Sequence, residues 1–219
     1  MSLNAFFFPL SCSLLSFGAL PLLALFYGAY LFQLFHMKKQ GVAADLLGSG
    51  GKPHAAFEKA LKIFTYAGAF VQLLNALFLF PGMVTSAVFV LNDPKMQRLW
   101  ERASGVSAVC GLAAMALGAG IFIAAIAAMG MNWRAGCSEG QGTQLVTTGV
   151  YAHSRNPAFL GFDLLYIGCF FACPSVFGLL LAVAAPVMFH HQIRTEERFC
   201  AAAFGEEYQA YQAKVKRYF

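Results

Sequence analysis

Residues 144–161 read Gln-Leu-Val-Thr-Thr-Gly-Val-Tyr-Ala-His-Ser-Arg-Asn-Pro-Ala-Phe-Leu-Gly and form the most polar, turn-rich passage in the second half of an apolar chain. Gly149 and the pair Asn156-Pro157 mark turns, and a new apolar run begins directly after them. A second polar cluster, 190–198, closes the two apolar runs that follow. We expect the two clusters to meet at one end of a helical hairpin and to form a pocket for a charged small molecule.

The composition indicates a membrane protein. Of the 219 residues, 59% are hydrophobic and only 11% are charged, whereas about a quarter of a soluble domain is charged. We expect one integral-membrane domain over 1–219, with three spans in 1–130 and the polar loop, hairpin and tail in 131–219. The net charge of +5 is too small to suggest a nucleic-acid partner, and the six cysteines lack the paired spacing of a metal site.

Five apolar runs approach the length of about 20 residues that crosses a bilayer. The sequence therefore predicts an all-α polytopic bundle of about five transmembrane helices, at 13–35, 63–80, 103–130, 158–173 and 175–190. The run 83–91 is too short to cross alone, and we interpret it as a re-entrant or interfacial continuation. Residues 205–219 mix aromatic, acidic and basic side chains, a pattern typical of a short amphipathic helix at the interface.

Several residues inside the spans predict how the helices pack. Gly111 and Gly118 share one helical face, which favours a central position for the third helix, although simple alanine-rich filler explains the pattern as well. Gln72 and Asn75 are expected to form hydrogen bonds between helices. Asp163 is expected to face the bundle interior and to pair with a donor, because a carboxylate inside a membrane is costly.

Basic residues predict the orientation. With five spans and the N-terminus outside, only Lys95, Arg98 and Arg102 of the 15 lysines and arginines lie outside. Cytoplasmic loops carry the excess of basic residues. We therefore expect the C-terminus and both polar clusters to face the cytoplasm.

Arg155 and its neighbours are the first candidate binding residues. A cation at the mouth of a membrane helix either reaches lipid headgroups or binds an anionic ligand. The rigid turn made by Tyr151, Asn156 and Pro157 favours a ligand, because its side chains can orient a carboxylate or a ribose.

The second cluster places His190, Arg194 and Glu197 on one helical stripe, and Glu196 about a quarter-turn away. Such a stripe could line a ligand site. It could equally be a solvated helix end stabilised by pairing between Arg194 and Glu197.

Three motifs occur in order after residue 130: Gly-Val-Tyr-Ala-His-Ser-Arg-Asn-Pro-Ala-Phe-Leu-Gly at 149–161, Arg-Thr-Glu-Glu at 194–197, and Phe-Gly-Glu-Glu-Tyr-Gln-Ala-Tyr at 204–211. Together they resemble the isoprenylcysteine carboxyl methyltransferase family. That family sits within a wider group of integral-membrane, S-adenosylmethionine-dependent enzymes that includes phospholipid methyltransferases. The chain departs from the family pattern at Asn156, where histidine is commoner, and at Phe159, where tyrosine is usual.

The resemblance implies that S-adenosylmethionine binds on the cytoplasmic side and that a lipophilic acceptor enters from the bilayer. Leu145, Val146 and Tyr151 would line the adenosine, and Arg155, Asn156 and Glu196 would hold the polar end. The full cofactor-binding set that it implies is Gln144, Leu145, Val146, Tyr151, Arg155, Asn156, Pro157, Ala158, His190 and Glu196. Arg194 would anchor an anionic acceptor, and Glu197 would orient Arg194 or take a proton.

Several functions are compatible with the sequence. A prenylcysteine carboxylate is the acceptor that the resemblance favours, but a phospholipid amine and a small thiol are alternatives. Membrane sterol reductases share a similar C-terminal helical arrangement and use NADPH. A third possibility is a membrane protein that keeps this helical arrangement but is not an enzyme.

Overall fold

The computed structural model describes residues 18–48, 54–77, 94–135 and 144–218. Their regular structure consists of helices apart from an isolated bridge between Asp45 and Ala135. Five long helices run in chain order: α1 (Ala19–Lys39), α2 (Ala55–Ala76), α3 (Pro94–Met129), α4 (Pro157–Ala172) and α5 (Val176–Lys214). Two short 3-10 helices, Gly130–Asn132 and Gly149–Ala152, lie between α3 and α4.

The predicted all-helical membrane bundle is confirmed. Within the described ranges, three helical stretches are long and apolar enough to cross a membrane: Ala19–Lys39, Gly105–Asn132 and Val176–Lys214. Helix α4 is apolar but has only 16 residues. Helix α2 starts at Ala55, ahead of the predicted start at 63, because its first turns hold charged residues that the apolar pattern left out. The predicted continuation 83–91 lies outside the described residues.

Helices α3 and α4 pack with their backbones in contact. A methyl group at Gly161 would lie 2.8 Å from the Gly118 carbonyl oxygen, and one at Gly168 would lie 2.7 Å from the Gly111 carbonyl oxygen. Only glycine permits such an approach in lipid. Gly111 and Gly118 are therefore contact residues rather than filler, and α3 packs mainly on α4 and also on α1.

Aromatic rings fill the space between these helices and α1. Phe26 stacks on Phe122 with ring centroids 4.4 Å apart and meets Phe162 edge-on at 4.8 Å. Polar side chains join α2 to its neighbours, as predicted: Tyr27 donates to Gln72 at 2.8 Å, and Asn75 donates to Ser175 at 2.7 Å.

The connectors α1–α2 and α3–α4 meet on one side of the bundle. The Leu46 amide donates to the Ala135 carbonyl, and the Ala135 amide donates to the Ala44 carbonyl, each at 2.8 Å. The tight link from α4 to α5, in which Ser175 caps α5 by accepting from the Gly178 amide, lies at the other end of these two helices. Both polar clusters therefore occupy the same side, as predicted, and the cytoplasmic orientation of that side stays a prediction.

Helix α5 continues well beyond the predicted end of the fifth span. It runs for 39 residues and changes direction at Gly205, where φ is +52° in the left-handed region that favours glycine. The tail after this break is helical, as predicted. Its aromatic side chains, however, pack on the protein: Tyr208 and Tyr211 are buried, and Tyr211 donates to the Tyr151 carbonyl at 2.6 Å.

Candidate active site

A cavity of about 200 Å³ opens where the two polar clusters meet, and all five long helices contribute to its wall. One water needs only about 10–15 Å³, so this space suits a small molecule. The charged and amide side chains on the wall are Asn132, Arg134, Gln144, Arg155, Asn156, Gln192, Glu196 and Glu197. The apolar part reaches into the bundle and includes Tyr30, Leu61, Phe122, Phe159, Phe162 and Phe189.

The loop before α4 supplies one wall of the cavity. The Gln144 amide donates to the Asn132 side chain at 3.2 Å, which ties the loop to the 3-10 helix that follows α3. A 3-10 turn then begins at Gly149, where φ is +62°. Tyr151 is buried on this turn, and burial, reinforced by the nearby Glu196 and Tyr211, raises its pKa. The Tyr151 hydroxyl is therefore a neutral phenol at physiological pH.

Arg155 is bonded to protein groups in three directions. Its Nε and Nη2 donate to Glu197 Oε1 at 3.0 and 2.8 Å. Its Nη1 donates to the carbonyls of Val215 and Gln212 at 2.6 and 3.4 Å. Arg155 thus links the loop, α5 and the C-terminal tail. The sequence indicated a lipid headgroup or a ligand as its partner, and neither of these includes the bonds within the protein.

Glu197 is the centre of this network. Its side chain is only 7% exposed. Its Oε1 accepts from Arg155 and, at 3.2 Å, from Asn156, while its Oε2 accepts from Arg217 at 2.9 and 2.7 Å. The hydrogen bond with Glu197 also raises the pKa of Arg217. Both carboxylate oxygens are therefore fully engaged by donors.

Glu196 lies beside Glu197 in sequence but in a different environment. It accepts one hydrogen bond, from Gln192 Nε2 at 3.0 Å. Among the described residues, no lysine or arginine forms an ion pair with it. Gln192 is buried and its Oε1 has no hydrogen-bond partner in the described part of the chain. Within the described part of the chain, Glu196 and Gln192 Oε1 on this wall are therefore acceptors that no lysine or arginine pairs with.

The structure brings most of the predicted site residues to this cavity. The predicted residues on its wall are Gln144, Leu145, Val146, Tyr151, Arg155, Asn156, Ala158, Glu196 and Glu197. Pro157 is buried at the first turn of α4, where a proline fits without losing a hydrogen bond. His190 faces the tail instead, with its Nδ1 2.6 Å from the Tyr218 hydroxyl.

Arg194 lies outside the cavity. It is exposed and borders a separate groove with Arg198, Gln212 and Arg217. The expected pairing of Arg194 with Glu197 is replaced by the pairs with Arg155 and Arg217. Its predicted role in anchoring the acceptor stays a prediction.

Asp163 also differs from expectation. It is half-buried in α4, but its Oδ1 has no hydrogen-bond partner among the described residues, so the expected pairing with a donor is not found for that oxygen. The two departures from the family pattern both lie on the cavity wall. Asn156 donates to Glu197 and to the Arg217 carbonyl, and Phe159 is packed against Phe189 with centroids 5.7 Å apart.

Several wall and network residues were not predicted. Trp133, Gln192, Tyr208 and Tyr211 line the cavity, and Arg217 completes the network around Glu197. Gln192 could have been found from its spacing, because it lies one helical turn before Glu196. Arg217 gave no such signal, since only the break at Gly205 brings the tail back to α5.

Two comparisons with known proteins each match part of this chain. Residues 106–207 match the family model for phospholipid methyltransferase. That range holds α3 beyond its first turns, the polar loop, α4 and the part of α5 with both glutamates. The resemblance to this group of methyltransferases is confirmed.

The chain is also similar to a protein-S-isoprenylcysteine O-methyltransferase of Schizosaccharomyces pombe (strain 972 / ATCC 24843). The two are 35% identical over 72 residues, which are 32% of this chain and 30% of that protein. The matched stretch thus spans less than a third of the length of the curated relative.

Proposed function

We propose that this chain is an integral-membrane methyltransferase that uses S-adenosylmethionine to methylate a lipophilic acceptor, with a prenylcysteine carboxylate as the first candidate. The observation that carries the proposal is the cavity itself. It joins a polar wall made by the two matched motifs to an aromatic interior between membrane helices. A water-soluble donor and a lipophilic acceptor need such a shared space.

The residues present fit the donor. S-adenosylmethionine carries an ammonium and a sulfonium, and the wall around Glu196 presents acceptor oxygens with no ion-paired cation among the described residues. Leu145, Val146 and Tyr151 supply the apolar and phenolic surface that an adenine ring requires. Glu196 would hold the ammonium, and Gln144 and Asn156 would hold polar groups of the nucleoside.

When bound, this cofactor supplies a methyl group that is already activated for nucleophilic attack. The protein has to align the acceptor with that methyl group and to exclude water. The rings of Phe122, Phe162 and Phe189 pack together on the cavity wall and would exclude water from the acceptor.

The acceptor's chemistry decides whether a protein base is needed. A carboxylate acceptor transfers no proton, whereas an amine acceptor must lose one. Glu197 is held by Arg155 and Arg217, so it is the poorer base, and Glu196 is the carboxylate that could accept a proton from an amine. The name of the curated relative favours the carboxylate, and the family description favours the phospholipid.

A direct test uses the purified full chain in lipid nanodiscs. S-adenosylmethionine and NADPH are titrated separately, and we expect saturable binding of the methyl donor alone. Labelled methyl donor is then supplied with N-acetyl-S-farnesylcysteine or with phosphatidylethanolamine, and we expect the label on the prenylcysteine. Binding of NADPH instead would support the reductase reading, and binding of neither would leave a non-enzymatic scaffold.

A further inference from the structure

The C-terminal segment 211–218 returns to the cavity wall and contacts it through Tyr211, Val215, Lys216 and Arg217. Tyr211 donates to the Tyr151 carbonyl at 2.6 Å, and the Arg155 amide donates to the Lys216 carbonyl at 3.0 Å. The Arg217 carbonyl accepts from Asn156 at 3.2 Å and from Ser154 at 3.3 Å. These bonds tie Tyr151 and residues 154–156 of the loop to Tyr211 and residues 216–217 of the tail.

Arg155 also closes the end of the tail helix. Its guanidinium donates to carbonyls at the C-terminal end of that helix, where backbone carbonyls lack intrahelical partners and the helix dipole is negative. The same guanidinium forms the ion pair with Glu197. A shift of the tail carbonyls would therefore move the guanidinium of Arg155, which lies on the cavity wall.

Arg217 holds the other side of Glu197. Its two hydrogen bonds go to Oε2, which leaves Oε1 for Arg155 and Asn156. The Arg217 side chain is 37% exposed, whereas that of Glu197 is 7% exposed, so Arg217 reaches the buried carboxylate from the solvent side. Without Arg217, Oε2 of this buried carboxylate would lose both of its hydrogen bonds.

We propose that residues 211–218 form a clasp that fixes the cavity loop, and that Arg217 is a positioning residue that acts through Glu197. The clasp places the C-terminal residues in the frame of the site rather than at the lipid surface. The expected effect of Arg217 on donor binding and turnover rests on the proposed function. The contact between the clasp and the loop can be tested without any ligand.

The first experiment measures hydrogen exchange in peptides that cover 150–157, using the full chain in nanodiscs without ligand. The variants are Arg217→Gln, Arg217→Lys and the adjacent control Lys216→Gln, whose exposed side chain is replaced while its carbonyl is kept. We expect faster exchange of the Arg155 amide in Arg217→Gln and no change in Lys216→Gln. Equal exchange in all three variants would overturn the clasp.

The second experiment measures binding of S-adenosylmethionine and the split between KM and kcat in the same variants. Removing one partner of a hydrogen-bonded charge pair is costly, so we expect about tenfold weaker donor binding and a raised donor KM in Arg217→Gln, with kcat little changed. Arg217→Lys should recover part of the affinity, because lysine keeps the charge but not the paired N–H donors. An equal loss of affinity in Lys216→Gln would contradict the assignment.

A double-mutant cycle tests whether Arg217 acts through Glu197. If it does, Arg217→Gln should have little further effect on donor affinity in a Glu197→Gln background. Additive losses would refute action through Glu197. If the wild-type chain fails to bind the donor, the proposed function is rejected, but the exchange experiment still tests the clasp. If Arg217→Gln is unstable, Arg217→Lys replaces it in the exchange and binding experiments.

Discussion

Two neighbouring glutamates on α5 lie in opposite chemical surroundings. Glu197 accepts hydrogen bonds from Arg155, Asn156 and Arg217. Glu196 accepts a hydrogen bond from Gln192 and forms no ion pair among the described residues. One carboxylate has its partners within the protein, and the other has capacity left for a ligand.

This difference separates two tasks at one site. A buried ion pair whose partners are all present fixes geometry, because moving any member leaves a charge unpaired. A carboxylate on a cavity wall without a paired cation favours a cationic ligand instead. We therefore propose that Glu197 holds the geometry of the site and that Glu196 recognises the cofactor, and substitutions at each carboxylate test that division.

The largest expected effect follows from Glu197→Ala. The variant leaves Arg155 without its carboxylate inside the protein, and losing one partner of a buried pair costs about 3 kcal/mol, the lower end of the usual range because Arg217 is partly exposed. We expect a clear fall in the thermal midpoint of the detergent-solubilised chain, together with loss of donor binding. Unchanged thermal stability would show that the network does not frame the site.

A smaller and more selective effect is expected for Glu196→Gln. The amide keeps the size of the side chain but removes its charge, and hydrogen bonds to charged groups contribute about 1.5–3 kcal/mol. Donor affinity measured by calorimetry should fall about ten- to hundredfold, since each 1.4 kcal/mol is about tenfold. The thermal midpoint should stay at the wild-type value. A variant that loses stability and affinity together would place Glu196 in the frame with Glu197.

The position of the two glutamates could be predicted from the sequence, for physical reasons, but the partners of Glu197 could not. The length of the apolar runs predicts membrane helices. The short link between 173 and 175 predicts a helical hairpin, whose two outer ends emerge on the same side of the membrane. The sequence alone therefore places the two polar clusters together. It also separates Glu196 from Glu197, because adjacent helical residues point in different directions.

The rest depends on contacts between distant residues. Nothing local indicates that Arg217 pairs with Glu197, since the pairing requires the turn at Gly205 and the burial of Tyr211 on the loop. Arg194 shows the converse. Its spacing from Glu197 on one face of the helix predicted that the two side chains pair. Glu197 pairs instead with Arg155 from the loop and Arg217 from the tail.

The smallest expected effect concerns Phe159, which stands where the family usually has tyrosine. Phe159→Tyr would place a hydroxyl on the apolar part of the cavity wall near Phe189. If the hydroxyl finds no partner there, stability should fall by about 1 kcal/mol, and kcat should change by less than about threefold. Thermal unfolding and methyl-transfer assays on the prenylcysteine acceptor check both values. A tenfold gain in kcat would show instead that a phenol at this position takes part in the reaction and that the division between Glu196 and Glu197 omits a third functional group.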